Sequence, residues 1–209
     1  MKNFIPVNRP SFSSLEKKYI LKCIKSGWVS SSGKFIEEFE NSFKRIVSRK
    51  FAVAVTSGTA ALDIAIKSLK LKPGDEIIVP NFTIISCVNE IIREGLKPIF
   101  IDADPITFNI NPDLIEKKIT KKTKALLIPN LIGNLPNWKK IRQLANKHNL
   151  LVMEDSADTL GATINSRPSG IYSDISITSF YGSHIISCAG NGGMLVTNNK
   201  NFYTKAKVL

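Results

Sequence analysis

From residue 51 onward the chain alternates short β-branched runs with longer amphipathic stretches, and this alternation limits the fold more than any other feature. The runs at 51–55, 76–79, 97–101, 125–128, 150–154, 175–179 and 194–197 have the length and composition of buried strands. Between them, 59–69, 83–94, 112–119 and 136–148 repeat apolar residues at helical spacing. Strands separated by helices form β-α-β units, so the expected fold class is α/β: three layers around a mainly parallel seven-stranded sheet. Ahead of it, Ser13-Ser14-Leu15-Glu16 has capping-box spacing, Leu15, Tyr19, Ile20 and Cys23 follow at helical intervals, and Gly27 ends the run. A second amphipathic helix is predicted over 35–47, after the turn-rich link 27–33. Residues 1–50 therefore read as a helical N-terminal segment and 51–209 as the major domain.

With 209 residues and 43% apolar content, the chain can bury a full core. It has no apolar run of about 18 residues, the length of a membrane span. Met1-Lys2-Asn3-Phe4-Ile5-Pro6 lacks the apolar stretch of a secretory leader, so a cytoplasmic protein is expected. Cys23, Cys87 and Cys188 are widely spaced with no C-x-x-C, which suggests structural thiols and neither a disulfide framework nor a metal site. The net charge of +12 would suit a nucleic-acid binder. Its lysines, however, are scattered in pairs such as Lys17-Lys18 and Lys139-Lys140, as on a solvated surface. No nucleic-acid partner is expected; a mild attraction for an anionic small molecule is compatible with this charge.

Three segments have the makings of a site. Thr56-Ser57-Gly58-Thr59-Ala60-Ala61-Leu62 lies where a strand gives way to a helix, and the free N–H groups and dipole of a helix start favour an anion. Ser-Gly-Thr is also an ordinary turn and cap, so both readings stand. Neither G-x-G-x-x-G nor G-x-x-x-x-G-K-[ST] occurs, which argues against a dinucleotide or P-loop site. The apolar strand ending in Glu154-Asp155 sets carboxylates at a strand's C-terminal edge, where open α/β sheets bind ligands; an acid there can equally cap the next helix. Finally, Ser179-Phe180-Tyr181-Gly182-Ser183-His184 runs into a glycine-rich return at Gly190-Asn191-Gly192-Gly193. A lone histidine is usually a surface or capping residue.

Together these segments resemble the DegT/DnrJ/EryC1/StrS sugar aminotransferases, fold-type I pyridoxal-phosphate enzymes acting on nucleotide-linked keto-sugars, over nearly the whole chain from Phe4. The resemblance implies that Gly58 and Thr59 hold the cofactor phosphate with Ser179, and that Asp155 meets the pyridine nitrogen. Asp158 stands where aminotransferases usually have Gln or His, and Ile84 where an aromatic ring commonly stacks. It also implies a smaller C-terminal domain of about as many residues again, which this chain lacks, so the sequence reads as the first part of a longer protein or a truncated product. A homodimer is implied as well.

The departure that matters most is His184, which occupies the position of the family's Schiff-base lysine. Imidazole cannot make the stable covalent link that an amine makes. The cofactor would then be held noncovalently, as pyridoxamine 5′-phosphate rather than pyridoxal 5′-phosphate. Histidine, with an unperturbed pKa of about 6.5 against about 10.4 for lysine, is suited to moving a proton at neutral pH. The resemblance then implies a dehydratase: a 4-keto-6-deoxy sugar on a nucleoside diphosphate condenses with the cofactor amine, a proton leaves the cofactor's C4′ carbon, and the C3 hydroxyl is expelled. Such 3-deoxysugars serve surface polysaccharides. Ala157 falls where the iron–sulfur dehydratases place a ligand cysteine, which points to the cluster-free kind without a reductase partner. Two rivals stand beside this reading: a true sugar aminotransferase with another base, and an inert homologue acting as a structural or dimerising subunit.

Overall fold

A computed structural model describes residues 4–6, 8–188 and 190–209. Met1, Lys2 and Asn3 of the stretch inspected for a leader lie outside them. All seven expected strands form one sheet: β1 Phe51–Val55, β2 Glu76–Pro80, β3 Lys97–Ile101, β4 Thr123–Pro129, β5 Leu151–Asp155, then, after a small hairpin of β6 Thr163–Ile164 and β7 Arg167–Pro168, β8 Ile175–Ser179 and β9 Gly193–Thr197. The order is β1-β9-β8-β5-β4-β2-β3. Only β9 runs against its neighbours; the other pairings are parallel, as the β-α-β pattern predicts.

Strand periodicity divides the core into two. Ile77 and Val79 of β2 and Leu127 of β4 join Leu62, Ile66 and Ile91 on one face, beneath α3 (Gly58–Ser68), α4 (Ile85–Arg93) and α7 (Lys200–Val208). Ile78, Leu126 and Ile128 turn the other way onto Trp138 and Ile141 of α6 (Trp138–Lys147), beside the short α5 (Pro112–Ile115). Helix α2 (Lys34–Ile46) adds a third cluster, in which Phe43 packs with Ala52, Phe180 and Met194. Helix α1 (Ser14–Ser26) has the expected box, Ser13 and Glu16 capping each other's backbone, and ends at a left-handed Gly27. None of its residues is buried.

Boundaries differ where backbone chemistry intervenes. Ile84 is extended, so the helix expected from 83 starts at Ile85. Asn137 caps α6 by accepting the Lys140 N–H, which delays that helix past Pro136. The stretch 112–119 is α-helical only to Ile115 and then tightens into a 3-10 turn over Glu116–Lys118. The β6–β7 hairpin escaped the periodicity reading because its strands are two residues long; Asn165 and Ser166 make its turn, both at positive φ. No helix among the described residues is long and apolar enough to cross a membrane.

Where β9 begins, the backbone of Gly193 passes so close to the β1–α3 turn that an added Cβ would overlap the Ser57 carbonyl. Gly193→Ala is expected to destabilise the domain by about 1–3 kcal/mol through overpacking against backbone that has no room to yield. Urea denaturation checks this; an unchanged midpoint would show that the two segments can separate freely.

Candidate active site

At the C-terminal edge of the parallel strands lies a cavity of about 340 Å³. Gly58, Thr59, Ile84, Asp155, Asp158, Ser179 and His184 all line it, so the residues that the resemblance assigned to the site reach one place. They arrive from five separate connections: β1–α3, β2–α4, the end of β5, the end of β8, and the loop from β8 to β9. Leu62 and Ile177 give it apolar walls. No lysine lines it among the described residues.

Its first corner is the start of α3. Ser57 caps the helix, its hydroxyl accepting the Ala60 N–H at 3.0 Å, while the N–H groups of the first turn have no helical carbonyl to reach. Gly58 is required here for a reason the sequence did not show. A Cβ would lie 2.7 Å from the Ser179 Cβ, so the missing side chain lets α3 dock onto the end of β8 and brings the Ser179 hydroxyl beside the helix start. Thr59 Oγ1 is 3.3 Å from Ser86 Oγ at the beginning of α4.

Adjacent acids at the end of β5 have different fates because strand residues alternate. Glu154 is buried away from the cavity and accepts the Gly170 N–H, the Asn130 amide and the Ser156 hydroxyl; burial pushes its carboxyl up despite these donors. Asp155 lines the cavity while only 5% exposed. Its Oδ1 accepts the Ala157 N–H at 3.0 Å and its Oδ2 the Cys87 thiol at 3.4 Å. Burial outweighs both donors and pushes this carboxyl up as well.

His184 sits on a turn closed by its own N–H donating to the Tyr181 carbonyl at 3.0 Å. The buried Phe180, against Phe39 and Phe43, anchors the loop, and the Asn8 amide donates to the Ser183 carbonyl at 2.7 Å. His184 Nδ1 is 3.0 Å from Asp158 Oδ1. A carboxylate can only accept, so Asp158 selects the tautomer with the proton on Nδ1 and leaves Nε2 as the basic nitrogen. Sequence reasoning left Asp158 without a firm partner; its distance to His184 supplies one. It also missed Ser86, Asn130 and Cys87, whose positions after strand ends were the available signal.

The model of the DegT/DnrJ/EryC1/StrS aminotransferase family matches residues 10–209. The chain belongs to that family. Among similar curated proteins, GDP-perosamine synthase of Escherichia coli O157:H7 is 41% identical over 202 residues, 97% of this chain and 55% of that protein. An aminotransferase from Psychrobacter cryohalolentis superposes with a TM-score of 0.93 at 35% identity, covering 98% of this chain and 51% of that one. E. coli GDP-4-keto-6-deoxy-D-mannose-3-dehydratase with bound hydrated PLP gives 0.90 at 30% identity, over 96% and 52%. The chain thus spans about half the length of the relatives it matches.

Because burial raises the Asp155 carboxyl, ionising it weakens the folded state. This cost is absent while the group is protonated in both states and grows as pH rises from the ordinary carboxylate range through the raised folded value. Asp155→Asn is therefore expected to make the ligand-free protein more stable than the parent, by a margin larger near neutral pH than near the ordinary carboxylate pKa of about 4. Urea midpoints at the two pH values test it; a margin that shrinks with rising pH would refute the assignment.

Proposed function

We propose that this chain supplies the cofactor-binding part of a pyridoxamine-phosphate-dependent enzyme that removes the C3 hydroxyl of a nucleotide-linked 4-keto-6-deoxy sugar. The observation behind this is a family cavity lined by His184 and by no lysine among the described residues. The residues suit the group. A helix start with the Thr59 and Ser179 hydroxyls nearby matches a phosphate, the walls formed by Leu62, Ile84 and Ile177 match a flat ring, and a buried carboxylate matches a protonated ring nitrogen.

When bound, the cofactor contributes an amine that condenses with the sugar ketone and a ring that takes up electron density. Gly58, Thr59 and Ser179 would hold the phosphate end, and Asp155 would keep the ring nitrogen protonated. Ile84, exposed at the start of α4, would cover the ring in place of an aromatic side chain. His184 would move the proton that the reaction needs: its Nε2, left free by the Asp158 contact at Nδ1, would take up a proton in the site and deliver it to the departing C3 hydroxyl, which leaves as water. Asp158 holds Nδ1–H throughout and stabilises the imidazolium in between. The substrate is a nucleotide-linked sugar and the working form a homodimer of longer chains, with 51–209 as the major domain and 1–50 as its helical N-terminal segment.

Transamination is the second reading, favoured by the 41% identity with GDP-perosamine synthase. It needs a lysine from outside this cavity. In full-length protein His184→Ala is expected to bind pyridoxamine phosphate normally yet lose C3 dehydration by about 10²–10⁴-fold, the scale of general acid–base catalysis. His184→Lys should trap pyridoxal phosphate covalently. Borohydride reduction followed by mass measurement reads the adduct; one found in the parent would return the protein to the aminotransferases.

Asp155→Ala is expected to lose most pyridoxamine phosphate affinity while remaining folded. Cofactor titration and circular dichroism check both halves, and unchanged affinity would mean that the strand-end acid does not face the ring.

A further inference from the structure

Behind the strand-end carboxylate stands a thiol that the sequence marked only as structural. Cys87, in the first turn of α4, is fully buried in the core cluster that contains Leu62 and Ile177. Its Sγ lies 3.4 Å from Asp155 Oδ2. Burial and the neighbouring carboxylate push the thiol well above its ordinary pKa, so it stays an S–H donor and cannot become a second anion beside Asp155. A thiol is a weak donor to water, but an ionised acceptor in a low-dielectric setting strengthens such a bond.

Asp155 needs that help. Burial favours its neutral form most, and Asp158 adds to this; against them stand the Ala157 N–H, the Cys87 thiol and the more distant His184. Of these donors, the Ala157 N–H and the Cys87 thiol hydrogen-bond to the carboxylate, one to each oxygen. The backbone N–H comes from the loop after β5 and the thiol from α4, so the carboxylate is held from two elements at once.

We infer that Cys87 is a positioning residue for the cofactor: by giving its proton to Oδ2 it fixes the Asp155 carboxylate in the orientation and ionised form that a protonated ring nitrogen requires. This rests on the pyridoxamine reading of the cavity. It makes α4 a shared support, since the same helix start presents Ile84 and Ser86 to the cavity and Cys87 to the acid.

The test is the pH dependence of pyridoxamine phosphate affinity, by equilibrium dialysis of full-length parent, Cys87→Val, Cys87→Ser and Asp155→Ala. Valine fills the space without donating; serine restores a donor. Cys87→Val is expected to bind about two- to tenfold more weakly at the low end of the pH range, the scale of one hydrogen bond, with the gap narrowing as rising pH ionises Asp155 in both proteins. Cys87→Ser should follow the parent. If valine follows the parent at every pH, or valine and serine weaken binding alike, the thiol proton has no such role and the inference is overturned. Unchanged binding by Asp155→Ala would instead overturn the pyridoxamine reading beneath it. Cys87→Ala, read in the same way, replaces valine if that variant fails to fold.

Discussion

Two backbone approaches at one edge of the sheet hold the site together. Gly58 sits against Ser179, and Gly193 against the Ser57 carbonyl, so the β1–α3 turn is clamped to the ends of β8 and β9 at distances no side chain would permit. Strand β1 is last in the sheet and reaches β8 only through the antiparallel β9. Without those two glycines the helix start, the Ser179 hydroxyl and the loop bearing His184 would separate. These groups would then no longer line one cavity. Gly58 is thus a packing requirement, and it fixes where the start of α3 sits against β8.

The end of β5 shows how burial can be turned to use. Glu154 and Asp155 are both withdrawn from water, at a cost to the charged form; the three donors to Glu154 all converge on Oε1 and leave its buried Oε2 without a partner among the described residues, whereas Asp155 takes one donor on each oxygen and lines the cavity. A buried carboxylate at a cavity wall interacts more strongly with a cation than an exposed one does. On the proposed reading, a protonated ring would offset the cost that burial puts on ionising Asp155.

The histidine poses the complementary case. In a family whose members in solved structures include both an aminotransferase and a sugar 3-dehydratase, the scaffold is nearly constant, with TM-scores of 0.93 and 0.90. What distinguishes chemistries on such a scaffold is a handful of side chains. Here a His184–Asp158 pair at 3.0 Å is suited to proton movement and unsuited to a covalent link.

Much of this protein was legible from residue order. Strand and helix periods gave the α/β class, the seven strands and the mainly parallel sheet, because burial on both faces leaves a local composition that any window records. Motif resemblance named Gly58, Thr59, Ile84, Asp155, Asp158, Ser179 and His184, since strand ends and glycine turns are also local. What local sequence cannot encode is which groups meet across the sheet. That Asp158 faces His184, that Cys87 donates to Asp155 from 68 residues away, and that Gly58 yields its space to Ser179 were settled by strand order and helix docking. The physical reason is that hydrogen bonds and close packing act over about 3–4 Å in space, whereas the residues that share them are separated by whole β-α units along the chain.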